Sequence, residues 1–205
     1  MRASRAGYAD PWAPPSAAPI DADATVLLLG TGLTMVDYVL SLLRDGHRGP
    51  IIAMSRRGLL AKPHRRVDAQ RIEEAEIPFG ASISSLLRWL RLRIDRSVAE
   101  GGDWRSVIDG LRPYTQRLWH ELPPPSKRRF VEHARAWWDV HRHRMAPEVE
   151  ARVIQAIHAG QLDLMAAKVI SVAPNDDGAR VHYRRRGDTR IVSTQVGAVV
   201  DCTGI

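Results

Sequence analysis

The sequence predicts an α/β protein, and three observations support that prediction. Short apolar runs flank an amphipathic helical pattern near the start of the chain, as in a βαβ unit. A long middle segment shows helical periodicity, and the last third changes to strand patterns separated by turn residues. The predicted architecture is therefore a βαβ core with a helical insertion and a small antiparallel β-meander.

Residues 1–24 are predicted to form a linker. Prolines alternate with alanines there, without helical or strand periodicity. Tyr8 and Trp12 are large apolar groups for a free tail, so we expect this segment to pack on another surface. We also expect the chain to start within a larger protein, as a linker from a missing lobe.

Residues 25–69 are predicted to form the core. Thr25–Leu29 is an apolar run without polar alternation, typical of a parallel strand buried on both faces. Gly30 and Gly32 then allow a sharp turn. The next helix is predicted from its apolar stripe, Val36, Val39, Leu40 and Leu43. It ends near Gly46, and Ile51–Met54 supplies the second strand.

A glycine turn between a buried strand and an amphipathic helix is typical of the Rossmann-like, nucleotide-binding core. The first amides of the helix lack internal partners, and the pyrophosphate of a dinucleotide satisfies them. The predicted cofactor-binding residues here are Gly30, Thr31, Gly32, Leu33 and Thr34. Met35 departs from the pattern, which prefers a small residue for close helix–strand packing. A structural crossover without a ligand is the alternative.

The end of the second strand indicates which nucleotide binds. An NAD site usually has an acidic residue about 20 positions after the glycines, whereas this chain has no Asp or Glu between Asp45 and Asp68. Ser55, Arg56 and Arg57 are the predicted cofactor-binding residues at the corresponding place, because a hydroxyl and two guanidinium groups suit a 2′-phosphate. We therefore predict NADPH as the cofactor. The alternative is that the arginines are solvated loop charges, in a chain with 27 Arg and 3 Lys.

Residues 70–160 are predicted to be a helical insertion. Helices are indicated by apolar stripes around Ile83–Ile94 and Trp104–Leu111, and Ser126 is predicted to cap a helix that runs through Trp138. A last helix opens at Pro147 and stops at Gly160.

His141 and His143 in this insertion suggest a metal site. On a helix, however, residues i and i+2 point about 200° apart, and no carboxylate cluster accompanies them. We therefore predict no metal. The preferred interpretation is interdomain packing by Trp137 and Trp138, with His and Arg side chains lining a polar cleft.

Residues 161–196 are predicted to form the β-meander, with strands at 162–172, 179–186 and 190–194. Residues 197–205 are predicted to be a buried strand that returns to the parallel core. The chain stops one residue after Gly204, so we expect no helix to cover the far side of this strand. Such a strand, with Trp12, Trp137 and Trp138, is expected to leave apolar patches that favour association.

Composition and charge limit the classes of function. The 205 residues contain one cysteine, Cys202, which excludes an internal disulfide and a cysteine-based zinc cluster. No apolar run approaches the length of a membrane span and the start lacks a signal peptide, so we expect a cytoplasmic protein with no membrane partner. The net charge is +7, and residues 56–144 hold 19 Lys/Arg against 11 Asp/Glu. This surplus suits an anionic cofactor or nucleic acid equally.

Three stretches together resemble a known family. They are GTGLTMVDYVLSLLRDGHRGPIIAMSRRGLLAKPH, WWDVHRHRMAPEV and VVDCTG. They resemble the FAD/NAD(P)-binding proteins of the urate hydroxylase and aspartate N-monooxygenase group, which are similar in layout to flavin-containing and N-hydroxylating monooxygenases. The early YADPW also resembles this family. The likeness is strong over residues 8–66, 137–149 and 198–205.

The resemblance implies a flavoprotein oxidoreductase in which FAD and NADPH occupy two separate glycine turns. Only the second turn matches here, so we expect a fragment: the NADPH-binding portion of a monooxygenase, without its FAD lobe and without assignable catalytic residues. Two other classes stay open, a non-catalytic dinucleotide-binding module and a basic nucleic-acid binder. The third is disfavoured because the Trp residues are predicted to lie in apolar stripes.

Overall fold

The computed structural model of the chain describes residues 20–203, so the predictions for Tyr8, Trp12 and Gly204 fall outside the described residues. The chain divides into two compact units. One combines the residues up to Pro63 with those from Arg144 onward, and the other is His64–His143.

The described residues of the first unit form one six-stranded sheet. Its strands are β1 (Val26–Leu29), β2 (Ile51–Ser55), β3 (Leu162–Asn175), β4 (Gly178–Arg185), β5 (Val192–Val196) and β6 (Ala198–Asp201). The order is β5-β4-β3-β2-β1-β6. Strands β3, β2, β1 and β6 are parallel, whereas β3, β4 and β5 form an antiparallel meander. The predicted fold class, a Rossmann-like βαβ core with a helical insertion and a β-meander, is confirmed.

Two helices cover one face of the parallel strands. They are α1 (Leu33–Arg44), which connects β1 to β2, and α7 (Pro147–His158), which precedes β3. Val26 and Leu28 of β1 belong to the same buried cluster as Val39 of α1 and Val153 of α7. All four side chains have no more than 1% of their surface exposed, so this face carries the main apolar core of the unit.

The meander covers the other face. Leu27 of β1 and Val199 of β6 share a second buried cluster with Val181 of β4 and Val196 of β5. The apolar patch expected on the far side of β6 is therefore not found: the meander covers that side in place of a helix, and Val199 and Val200 are 2% and 0% exposed. The sheet curls, and its own antiparallel strands take the place of a second layer of helices.

Strand β3 serves both parts of the sheet. Its first half, Leu162–Ala166, pairs in parallel with β2, and its second half pairs antiparallel with β4, with a register irregularity between Val169 and Ser171. The prediction started the meander at this strand without foreseeing the parallel half.

The second unit is helical. It contains α2 (Ile83–Ala99), α3 (Trp104–Leu111), α4 (Thr115–Glu121), α5 (Pro124–Arg129) and α6 (Arg135–Arg142), with a π-helical segment at Phe130–Ala134. Its limits in the structure are residues 64 and 143, whereas the sequence placed them at 70 and 160. Helix α7 lies with the sheet because its apolar face, including Val153 and Ala156, is buried in that core.

Two local predictions in this unit need correction. Ser126 does not cap its own helix, because its Oγ accepts a hydrogen bond from the N–H of Ile83 at 3.1 Å, at the start of α2. The tryptophans are not all buried in apolar stripes either: Trp119 and Trp137 are 45% and 47% exposed. Trp138 packs against the core of the unit. His141 stacks edge-on against Trp104, with ring centroids 4.9 Å apart.

No helix in residues 20–203 combines the length and apolar character needed to cross a bilayer. Over the same residues, no group of three or more His, Cys, Asp or Glu side chains is arranged to hold a metal ion.

Candidate functional site

The candidate site lies where the parallel strands end. Strand β1 has β2 on one side and β6 on the other, so it stands where the chain order of the sheet reverses. In open α/β sheets, ligands bind in the crevice outside the carboxyl ends of the strands at such a point. The glycine turn, which we define as Gly30–Gly32, follows β1 directly at this position.

Gly30 fits tightly against both neighbouring strands. Its N–H donates to the carbonyl oxygen of Met54 at 2.7 Å, at the end of β2. Its φ is +101°, and a Cβ at this position would lie 2.7 Å from the carbonyl oxygen of Cys202, just beyond β6. Only glycine satisfies both the backbone conformation and the close approach, so Gly30 serves the fold.

Gly32 has the opposite surroundings. It is exposed, its φ is −83°, and a Cβ built on it has no neighbouring atom within 4 Å. It occupies the N-cap position of α1 without a side-chain cap, and the first turn of α1 carries no acidic residue. The space around the side-chain position of Gly32 is therefore open at the start of α1, where the first amides of a helix lack partners within it and the helix dipole places partial positive charge.

Between the glycines, Thr31 turns its side chain inward. It is 7% exposed, and its Oγ1 donates to the carbonyl oxygen of Leu59 at 2.6 Å. Its Oγ1 also lies 2.9 Å from Oγ of Ser55. Because the single proton of Thr31 goes to Leu59, the proton between the two hydroxyls must come from Ser55.

Ser55 closes the next turn. Its Oγ accepts a hydrogen bond from the N–H of Gly58 at 2.9 Å, which brings together the two ends of the arginine turn, defined here as Ser55–Gly58. Gly58 has φ +60°, and a Cβ there would lie 2.9 Å from the backbone nitrogen of Ala166 in β3. Within this turn Arg56 is exposed and Arg57 is half-buried.

The predicted cofactor-binding residues lie in two parts of the structure, the start of α1 and the arginine turn. Gly32, Leu33 and Thr34 form the start of α1, and Arg56 and Arg57 occupy the middle of the arginine turn. The hydroxyl of Ser55 was predicted to face a phosphate, but its proton is directed to Thr31. A phosphate oxygen accepts hydrogen bonds, so Ser55 has no proton to offer it in this arrangement.

Two residues at the edge of the site could not be recognised from the sequence pattern. The carbonyl oxygen of Leu59 receives the Thr31 hydroxyl, and the backbone of Cys202 packs against Gly30. The Cys202 thiol is 4% exposed, and burial, followed by the nearby Asp201 carboxylate, raises its pKa to about 12. Cys202 is therefore a neutral core thiol.

The helical unit holds an apolar cavity of about 260 Å³. Its walls are aliphatic and aromatic apart from Thr115, whose hydroxyl donates to the carbonyl oxygen of Arg112 at 2.9 Å. The cavity therefore supplies packing surface and no acid, base or nucleophile.

Comparisons with known proteins give a partial likeness. No protein-family model matches the sequence, and none of the curated proteins compared matches it. Among solved structures, L-lysine 6-monooxygenase from Pseudomonas syringae is 15% identical with a TM-score of 0.48; the match covers 89% of this chain and 35% of that enzyme.

Two further solved structures match over a similar extent. The ornithine N-hydroxylase of Kutzneria sp. 744 is 15% identical, with a TM-score of 0.45 and coverages of 89% and 36%. The cadaverine monooxygenase of Erwinia amylovora is 11% identical, with a TM-score of 0.48 and coverages of 89% and 35%. The chain thus spans about a third of the length of these proteins. At this identity and TM-score the likeness assigns no activity or residue role to the chain.

Proposed function

We propose that the first unit binds NADPH, with the diphosphate at the start of α1. The observation that carries the proposal is the uncapped, open helix start next to Gly32, placed where the chain order of the sheet reverses. The amides of Leu33 and Thr34 are suited to a diphosphate because the first amides of a helix have no partner within the helix and lie at the positive end of its dipole. Gly32 contributes by leaving the approach free of a side chain.

The arginine turn supports NADPH in preference to NADH. Arg56 and Arg57 lie at the end of β2, one strand away from the glycine turn, where an adenosine ribose is held in this type of fold. Guanidinium groups bind phosphate through charge-assisted and often bidentate hydrogen bonds. The chain has no carboxylate between Asp45 and Asp68 to bind a free ribose 2′-hydroxyl.

We further propose that the chain is the NADPH-binding portion of a FAD-dependent oxidoreductase, a monooxygenase acting on a small polar substrate. The support is the sequence resemblance, together with the single strand–glycine turn–helix arrangement within residues 20–203, which serves one dinucleotide. In such an enzyme FAD supplies the oxygen chemistry, and we place its binding site outside this strand–glycine turn–helix arrangement. Our second candidate is a dinucleotide-binding module without catalysis, which rests on the same site.

The test of NADPH binding is calorimetric titration of the 205-residue chain with NADPH and with NADH. We expect NADPH to bind at least about tenfold more tightly, since a hydrogen bond to a charged group contributes roughly 1.5–3 kcal/mol. Arg56→Ala/Arg57→Ala should remove this preference. The matched control, Arg180→Ala/Arg184→Ala, removes two exposed charges from β4 and should keep it.

Equal affinities of the wild type for the two nucleotides, or an unchanged preference in Arg56→Ala/Arg57→Ala, would contradict the NADPH assignment. The oxidoreductase and the module without catalysis are distinguished by the absorption spectrum of a longer protein that includes an FAD-binding lobe. Flavin bands and NADPH consumption with oxygen support the oxidoreductase, and their absence from a folded, NADPH-binding protein supports the module.

A further inference from the structure

We propose that Thr31 is a positioning residue for NADPH recognition, and that its hydroxyl sets the preference for the 2′-phosphate by fixing the arginine turn to the glycine turn. The inference rests on the proposed function. It assigns to a buried hydroxyl, which would touch no ligand, a role that the glycine pattern alone does not suggest.

The hydrogen bonds around Thr31 run in one direction. The N–H of Gly58 donates to Ser55 Oγ at 2.9 Å, Ser55 Oγ donates to Thr31 Oγ1 at 2.9 Å, and Thr31 Oγ1 donates to the carbonyl oxygen of Leu59 at 2.6 Å. Each hydroxyl uses its only proton, so the chain of bonds has one direction and no alternative donor.

The two hydrogen bonds of the Thr31 hydroxyl attach on either side of Arg56 and Arg57. Ser55 is the first residue of the arginine turn, and Leu59 directly follows its last residue. Thr31 therefore holds both ends of the segment that carries Arg56 and Arg57. Its own backbone lies between Gly30 and Gly32, so one side chain connects the start of α1 to the arginine turn at two points.

A fixed connection matters because one ligand must reach both the glycine turn and the arginine turn. The diphosphate and the 2′-phosphate belong to one molecule, so the two anion-binding parts of the site must stand at a set separation. Gly30 is already held by Met54 and packed on Cys202. A turn tied to this point presents its arginines in the bound arrangement before the ligand arrives, which reduces the entropy lost on binding. Without the tie, the turn keeps the hydrogen bond between Gly58 and Ser55 but loses its connection to the glycine turn, so ligand binding must supply more of the ordering.

Positioning and simple structural support have different effects on the two nucleotides. A hydroxyl that only shapes the glycine turn affects NADPH and NADH equally, because both nucleotides carry the diphosphate. A hydroxyl that positions the arginine turn affects NADPH alone. The ratio of the dissociation constant for NADH to that for NADPH therefore reports on positioning, because a change that weakens both nucleotides equally leaves this ratio unchanged.

The experiment compares Thr31→Val with Thr31→Ser in the 205-residue chain. Valine keeps the branched shape without the hydroxyl, and serine keeps the hydroxyl. Both nucleotides are titrated by calorimetry, with a thermal melt for each variant. In Thr31→Val we expect NADPH binding to weaken about tenfold, the effect of about one buried hydrogen bond. NADH binding should change less than about twofold, and Thr31→Ser should retain the wild-type ratio.

An unchanged ratio in a folded Thr31→Val variant overturns the inference while leaving NADPH binding by the wild type intact. If Thr31→Val does not fold, Ser55→Ala takes its place, because it removes the central hydroxyl of the same chain of hydrogen bonds. It should likewise lower the ratio of the NADH dissociation constant to the NADPH dissociation constant. A wild type that binds neither nucleotide overturns the proposed function itself, so the two failures have different signatures.

Discussion

Alanine at each glycine of the glycine turn should affect two different properties of the protein. In Gly30→Ala the new Cβ would stand 2.7 Å from the carbonyl oxygen and 2.9 Å from the carbonyl carbon of Cys202, both backbone atoms. Adopting the φ of +101° with an L side chain costs about 1–3 kcal/mol. Moving the end of β6 away costs about another 1–3 kcal/mol, as overpacking does. We expect the free energy of unfolding of the sheet unit to fall by roughly 2–6 kcal/mol.

Gly32→Ala provides the contrast. The φ of −83° suits any residue, and the added Cβ meets no protein atom within 4 Å. Replacing glycine by alanine at an N-cap costs at most about 1 kcal/mol. The methyl group would stand in the space that the proposed diphosphate occupies, however, so we expect NADPH binding to weaken at least about tenfold, equivalent to about 1.4 kcal/mol.

The assay is urea unfolding followed by circular dichroism, beside calorimetric titration with NADPH, for both variants and the wild type. The reasoning predicts a large loss of stability in Gly30→Ala and a loss of binding with nearly unchanged stability in Gly32→Ala. Two results refute it: a Gly30→Ala variant as stable as the wild type, or a Gly32→Ala variant that binds NADPH with wild-type affinity.

Three further predictions follow from the same packing. Met35→Ala should lower the free energy of unfolding by about 2–5 kcal/mol, because the Met35 side chain of α1 is fully buried in the core. Urea unfolding tests this prediction, and a decrease below about 1 kcal/mol would contradict it. Cys202 should resist a thiol reagent at pH 8 until urea is added, because burial raises its pKa to about 12; rapid labelling of the folded chain would be inconsistent with this. Since the ordinary value is 9.0, the stability contributed by the neutral thiol should be complete below pH 9 and decline toward pH 12, whereas Cys202→Ala should lack that decline.

The parallel part of the sheet was predictable because its signals are local. Strand β1, the glycine turn, α1 and β2 follow one another in the chain, and each has its own pattern of apolar residues. The stripe of α1 shows the limit of this approach: the fully buried side chains include Met35, which the sequence pattern treated as a departure, while Leu40 and Leu43 are only half-buried. Which face of α1 is buried depends on the strands and the helix that pack against it.

Features that depend on distant residues were less accessible. The second half of β3 turns away from β2 to pair with β4, and this lets the meander cover Val199. No local pattern encodes such a curl. Ser55 is a similar case at the site, since its residue type suits a phosphate. Its proton is directed to Thr31, which is 24 residues away in sequence.

Hydrogen exchange of the backbone amides, followed by mass spectrometry of short peptides, tests the central claim most directly because it locates the ligand. We predict that NADPH slows exchange in peptides covering Gly32–Met35 and in peptides covering the arginine turn, and that NADH slows exchange in the first set only. Protection confined to the helical unit, or binding of NADPH without protection at the start of α1, would contradict the account.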